Sequence, residues 1–187
     1  MAVKTFTSEV LTSSDTNTYL ANSGLVYVTN ATATSGTSLS VNNCFTSTYS
    51  AYRIVVTRCT IGGLSGMSLR LRASGTDTST GYYNVRTGYD YSTGLVSTTP
   101  TSNGSVWDIP LLCESGSNSA CVLDIYQPQA ALKTTYTGQG TDNRTTGQGN
   151  LSAGGMLNNT TQYDGFTISS AQTITSINLT VYGYRLG

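Results

Sequence analysis

The sequence contains no histidine. Its absence removes the Ser-His-Asp and Cys-His arrangements of nucleophilic catalysis and every mixed Cys/His zinc site, since each needs an imidazole as base or ligand. Charge is scarce as well. Nine basic and nine acidic residues in 187 give a formal net charge of +0, and lysine is confined to Lys4 and Lys133. Nucleic-acid binding draws most of its affinity from cations set against phosphates, so this balance argues against a nucleic-acid partner. Apolar runs are a handful of residues long, too short for a membrane-spanning helix, and no membrane insertion is expected. The opening Met-Ala-Val-Lys-Thr-Phe-Thr-Ser-Glu has no apolar core of a secretory signal, which gives the expectation of synthesis in a cytosol. The four cysteines, Cys44, Cys59, Cys113 and Cys121, show no metal-ligand spacing. A disulfide closing the segment between Cys113 and Cys121 and four reduced, buried thiols both fit the spacing; a reducing cytosol favours the thiols.

What the chain has in quantity is hydroxyl and tyrosine. Ser and Thr fill roughly three positions in ten, and there are 13 Tyr and 20 Gly. Disordered chains combine low hydrophobicity with high net charge and few aromatics, which is not this composition. A folded chain of this length buries about 70% of its unfolded surface, enough for a core without staples.

The anchor is residues 51–73. Positions 53–61 are β-branched almost throughout, and Leu69, Leu71 and Ala73 alternate with Arg70 and Arg72, so one face is buried and the other polar. The glycines Gly62, Gly63 and Gly66 between them predict a tight reversal and a central hairpin. Strands are also expected at residues 25–29, 38–42, 82–86, 88–91, 105–109, 120–126, 131–137, 163–168 and 174–185. The first two read as part of a meander, and Pro110 marks an edge or a bend. Residues 138–155, a Gly/Gln/Thr/Asn tract without hydrophobic rhythm, read as a long loop of the kind that carries function. Residues 1–24 read differently: Thr12 to Asp15 fit a capping box opening two turns of helix through Tyr19, Leu20 and Ala21. About ten strands with polar turns predict an all-β, antiparallel β-sandwich of jelly-roll type. It would span residues 25–187, preceded by a short helix-containing docking segment at 1–24.

Three stretches carry a resemblance. Residues 5–12 with Asp15 and 17–20, residues 49–56 continuing to 69–72, and residues 163–166 with 181–185 resemble virion structural proteins of tailed bacteriophages, the cyanophage type especially. The resemblance implies a non-enzymatic, β-rich part of the particle, a tail fibre or surface protein, assembled in the cytoplasm of a bacterial host. It implies other virion proteins as partners and a homo-oligomer, a trimer by analogy with fibres. Its motifs are of fold type, so no binding residue is carried over from it.

The residues themselves offer candidate surfaces. Tyr83, Tyr89, Tyr91 and Trp107 sit among Asn, Asp and Arg, a mixture that stacks on sugars and hydrogen-bonds their hydroxyls, so a host-surface glycan is the candidate ligand. Leu11, Tyr19 and Leu20 on the N-terminal segment, with Arg70 and Arg72 on the central strands, are the candidate subunit contacts, because a guanidinium fork suits interfacial carboxylates. Catalysis would fall to carboxylates alone; Asp108, Glu114, Asp124 and Asp164 could supply a pair, but nine acidic residues scattered over a sandwich offer some close pair by chance, so no enzyme is expected. Asp77 and Asp142 lack the dense oxygen spacing of a calcium loop and read as turn residues; neither a metal nor a cofactor is expected. The expected task is host contact as a short tail fibre or tail-tip protein. A capsid decoration protein on the phage head is the alternative, and a carbohydrate-binding module the third reading.

Overall fold

The computed structural model describes residues 24–144 and 149–185, and every regular element among them is a strand. There are thirteen: β1 (Gly24–Ala33), β2 (Ser38–Val41), β3 (Ala51–Ile61), β4 (Ser65–Ala73), β5 (Thr76–Asp77), β6 (Tyr82–Asp90), β7 (Val96–Gly104), β8 (Trp107–Cys113), β9 (Ser119–Tyr126), β10 (Thr135–Asp142), β11 (Gly149–Leu157), β12 (Gly165–Ser170) and β13 (Ile174–Arg185). The helix expected in residues 12–21, and with it Leu11, Tyr19 and Leu20, lies outside the described residues.

The strands form two antiparallel runs. One reads β1-β13-β3-β9-β10-β11-β6-β7 in space; the other reads β2-β12-β4-β8, with β5 hung on β4. A single parallel bridge between Asp142 of β10 and Leu112 of β8 joins them into one nearly closed sheet. The alternation read from the sequence decides which face is inside. Tyr52, Ile54 and Val56 of β3, Leu123 and Ile125 of β9, Leu69 and Leu71 of β4, and Phe166 and Ile168 of β12 are all buried in one core. Each such side chain contributes about 1.5–3 kcal/mol of burial, which is what holds the two runs together.

Pairing differs from the expectation in two places. The central hairpin does not exist: β3 pairs with β13 and β9, and β4 with β12 and β8. β3 lies in the long run and β4 in the short one, and the short link after Ile61 carries the chain from one run to the other. Gly62, Gly63 and Gly66 are therefore not positive-φ turn residues; instead Gly62 donates its N–H to the carbonyl of Thr173 at 2.8 Å. The meander fails for the same reason, since β1 lies on β13 and β2 on β12.

Residues 138–155 are not a long loop. They are most of β10 and β11, paired to each other with only residues 143–148 between. The glycines are there because β8 and β6 press on the strands. A Cβ on Gly140 would stand 1.8 Å from the Pro110 carbonyl oxygen, and one on Gly155 would stand 2.2 Å from that of Tyr83. Pro110 sits where β8 skips a register step against β4, between Leu112 and Asp108, a bulge that tolerates a residue without an N–H. Pro110, expected to mark an edge or a bend, thus falls at a register irregularity.

Trp107 belongs to the core. Its ring is fully buried, edge-on to Tyr82 at 5.4 Å and tilted on Tyr136 at 4.6 Å, and its indole N–H donates to the Met156 carbonyl at 3.2 Å. It offers nothing to a ligand arriving from solvent, because a large aromatic with its polar atom satisfied inside is more stable there. The four cysteines are free and buried. Cys113 and Cys121 do not close a hairpin, because β9 pairs with β3 and β10 rather than with β8.

Candidate binding face

The residues of the long run that alternate with the core face outward, and the registers align them across strands. One row reads Tyr182, Arg53, Asp124, Thr137, Gly154 and Val85, from β13 to β6. The next reads Thr180, Val55, Val122, Gln139, Ser152 and Thr87. A third places Thr141, Asn150, Tyr89 and Val96 side by side. These rows are hydroxyl and amide groups interleaved with valine and tyrosine.

The face is hollow. One depression of about 480 Å³ runs from Arg53 and Asp124 over Thr137, Gln139 and Ser152 to Val85 and Thr87. A second of about 350 Å³ adds Tyr89, Tyr91 and Asn150, and a third of about 490 Å³ adds Val55, Thr57 and Thr141. Gln139 lines all three, so they are parts of one hollow with Gln139 in its floor. Tyr91 shares the third depression with Val55 of β3, although four strand spacings, about 19 Å along a flat sheet, separate β6 from β3. The run therefore curls so that the β6–β7 turn leans over it.

That turn is fixed by Asp90. Its Oδ1 accepts from the backbone N–H groups of Ser92 at 2.8 Å and Thr93 at 3.0 Å and from the Ser92 hydroxyl at 2.7 Å. The Ser92 hydroxyl, then the two backbone donors, holds the carboxyl below the usual carboxylate range. Gly94 closes the turn at φ 69°. The next residue after Asp90, Tyr91, is thereby set at the rim with 64% of its surface exposed; Tyr89 keeps 50%.

The charges in the hollow are compensated. Arg53 grips Asp124 with both arms of its fork, Nε to Oδ1 at 2.8 Å and Nη2 to Oδ2 at 2.7 Å. Tyr184 donates its hydroxyl to the same Oδ1 at 2.8 Å, and its ring lies 5.4 Å from the guanidinium. Burial pushes the Asp124 carboxyl up, but the hydrogen bonds from Arg53 and Tyr184 together outweigh it and hold the group below its ordinary value. Burial, and then the hydrogen bond to Asp124, raises the Tyr184 phenol to about 12. Beside the hollow, Arg144 pairs both carboxylate oxygens of the buried Asp142.

The expected site residues are distributed unevenly. Tyr89 and Tyr91 line the hollow, whereas Tyr83 lies on the same outward face next to Met156 and does not line it. Arg70 and Arg72 are on β4, in the other run. Arg70 donates to the Ser105 carbonyl at 3.0 Å. Arg72 already serves Asn42, Ser40, Asp77 and Thr167 at 2.6–3.1 Å and the Gly75 carbonyl as well. Its fork is spent within the chain, which removes the ground for offering it to a neighbour's carboxylate. Asp77, weighed for calcium, is the acid in that network. Among the described residues no three His, Cys, Asp or Glu side chains cluster as metal ligands would. Gln139, Thr137, Ser152, Asn150 and the Arg53–Asp124 pair were not singled out from sequence; the signal for the first two was the strict alternation of Thr135, Thr137, Gln139 and Thr141.

Compared with family models, with curated proteins and with solved structures, the chain matches none of them.

Proposed function

We propose that the chain is a non-enzymatic structural protein of a tailed-phage virion, a short tail fibre or tail-tip component that meets the host surface with the hollow face. The strand order supports a jelly-roll sandwich as its frame. We read the four strands β1-β13-β3-β9 and the four strands β2-β12-β4-β8 as the two layers that an eight-stranded jelly roll would make as its chain crosses between them. On this reading β6, β7, β10 and β11 are insertions that widen the first layer, and β5 is a short addition to β4 in the second.

The observation that carries the reading is what those insertions build. A frame needed only for shape is complete without them, and β7 is exposed along most of its length. Together with β3 and β9 the added strands form a curled polar face with tyrosines at its rim, and loops and extensions on a rigid scaffold are where proteins place contact function. The resemblance of the three sequence segments is the support for the particle. Assembly as a homo-oligomer, a trimer by analogy, belongs to the same proposal.

Immunogold labelling of intact particles with an antibody to this protein tests it. Gold at the tail is expected. Gold over the whole head would replace the fibre by a capsid decoration protein, and unlabelled particles that also lack the band by mass spectrometry would overturn the virion reading.

A further inference from the structure

We infer that the hollow centred on Gln139 binds an uncharged glycan chain. The inference deepens the host-contact reading by naming the ligand class of that face. Thr87, Thr137, Gln139, Asn150 and Ser152 all face the hollow, and each hydroxyl or amide both donates and accepts. Sugar hydroxyls do the same, so such a floor matches them in either direction. A phosphate, sulfate or carboxylate accepts only and is recognised by clustered cations and donors.

The charges point the same way. The cation lining the main depression, Arg53, has two of its arms on Asp124, and the remaining contact of that carboxylate is a tyrosine hydroxyl. Within the hollow one cation meets one anion, leaving no net charge for an acidic or a basic ligand. An ion pair held this way presents polar edges, as a sugar requires, without drawing ions.

The aromatic rim and the dimensions complete the fit. Tyr89 and Tyr91 are half or more exposed at one side of the floor, and aromatic faces of this kind pack on the apolar faces of sugar rings. The floor crosses β3, β9, β10, β11 and β6, about 19 Å at about 4.8 Å per strand before curling. That span suits an oligosaccharide laid across the strands rather than a single sugar.

Affinity electrophoresis of the full chain tests this directly, in gels carrying neutral polymers (dextran, mannan, galactan, laminarin) or acidic ones (alginate, dextran sulfate). The expected result is retardation by a neutral polymer, unchanged by added salt. Gln139→Ala should weaken it about tenfold, at a loss of about 1.4 kcal/mol, and Tyr91→Ala comparably, with the melting temperature unchanged because both side chains face outward. Retardation only by the acidic polymers, falling steeply with salt, would overturn the inference, as would equal binding by wild type and Gln139→Ala. No retardation by any neutral polymer would also overturn it; if Gln139→Arg then splits an oligomer in light scattering, the hollow is a contact between copies of the chain. None of these failures decides where the protein sits on a particle, which gold labelling reads separately.

Discussion

Replacing Gly140 by alanine is the sharpest test of how the glycine tract is built. The new Cβ would stand 1.8 Å from the Pro110 carbonyl oxygen, 2.8 Å from the Cys121 Cβ and 3.0 Å from the Pro110 carbonyl carbon. Two of these are backbone atoms of a strand pinned in the core by Trp107, Ile109 and Leu111, so β10 and β8 must part. Overpacking of this kind costs about 3 kcal/mol. At 2–4 °C per kcal/mol for a domain of this size, the melting temperature should fall by about 6–12 °C. Gly154 is the internal control. Its added Cβ would meet only the Tyr136 carbonyl oxygen at 3.4 Å and a Thr137 methyl at 3.8 Å, ordinary contacts. Alanine there should be neutral or stabilise by about 0.5 kcal/mol through the unfolded chain. Urea unfolding followed by tryptophan fluorescence separates the two, because Trp107 is the single reporter and sits beside β10 and β11. If Gly140→Ala unfolds within about 0.5 kcal/mol of wild type, the tract is not a strand pressed against Pro110 and the floor of the hollow is wrongly built.

Two further outcomes follow from the charges and the thiols. Asp124→Asn should destabilise by about 1 kcal/mol at neutral pH, a modest figure because the pair with Arg53 is partly solvated. Its carboxyl is held below the ordinary value when folded, so its contribution is complete above about pH 3.9 and is lost as the pH falls through the folded pKa. Wild type and variant should therefore converge in acid urea melts, and a difference that persists or grows there would refute the assignment. All four cysteines are buried and free, and burial pushes the Cys44 thiol up to about 12 and Cys121 upward as well. Native protein at mildly alkaline pH should react with no thiol reagent until unfolded, when four thiols titrate; fewer than four would show a disulfide.

Much of the inside-outside pattern was legible in the sequence, and the neighbours were not. Alternation placed Leu69 and Leu71 inside and Arg70 and Arg72 outside, and the strands expected at 120–126 and 174–185 are β9 and β13. A period of two reports which way side chains point and says nothing of which strand lies alongside. The hairpin expected of β3 and β4 failed on that point. Glycine misled differently. In residues 138–155 it reads as flexibility, whereas Gly138, Gly140, Gly149 and Gly155 are small because neighbouring atoms occupy the space of a side chain. That requirement is set by residues as far off as Tyr83 and Pro110. Strand β7 escaped notice because it is exposed and polar on most positions, with no rhythm to detect. Of the candidate site, Tyr89 and Tyr91 are readable as surface aromatics, Trp107 is not readable as buried because composition does not report burial, and Gln139 lies in a tract whose composition reads as a loop.

On the function proposed above, the curled outer face of β3, β9, β10, β11 and β6 touches the host. The direct measurement is binding of fluorescently labelled full chain to cells of the bacterium on which the particles grow, comparing wild type with Gln139→Arg at matched melting temperature. The account predicts that the arginine, projecting into the floor shared by all three depressions, abolishes cell binding while the protein stays folded. Undiminished binding by the folded variant would contradict it and move the contact to another surface of the chain.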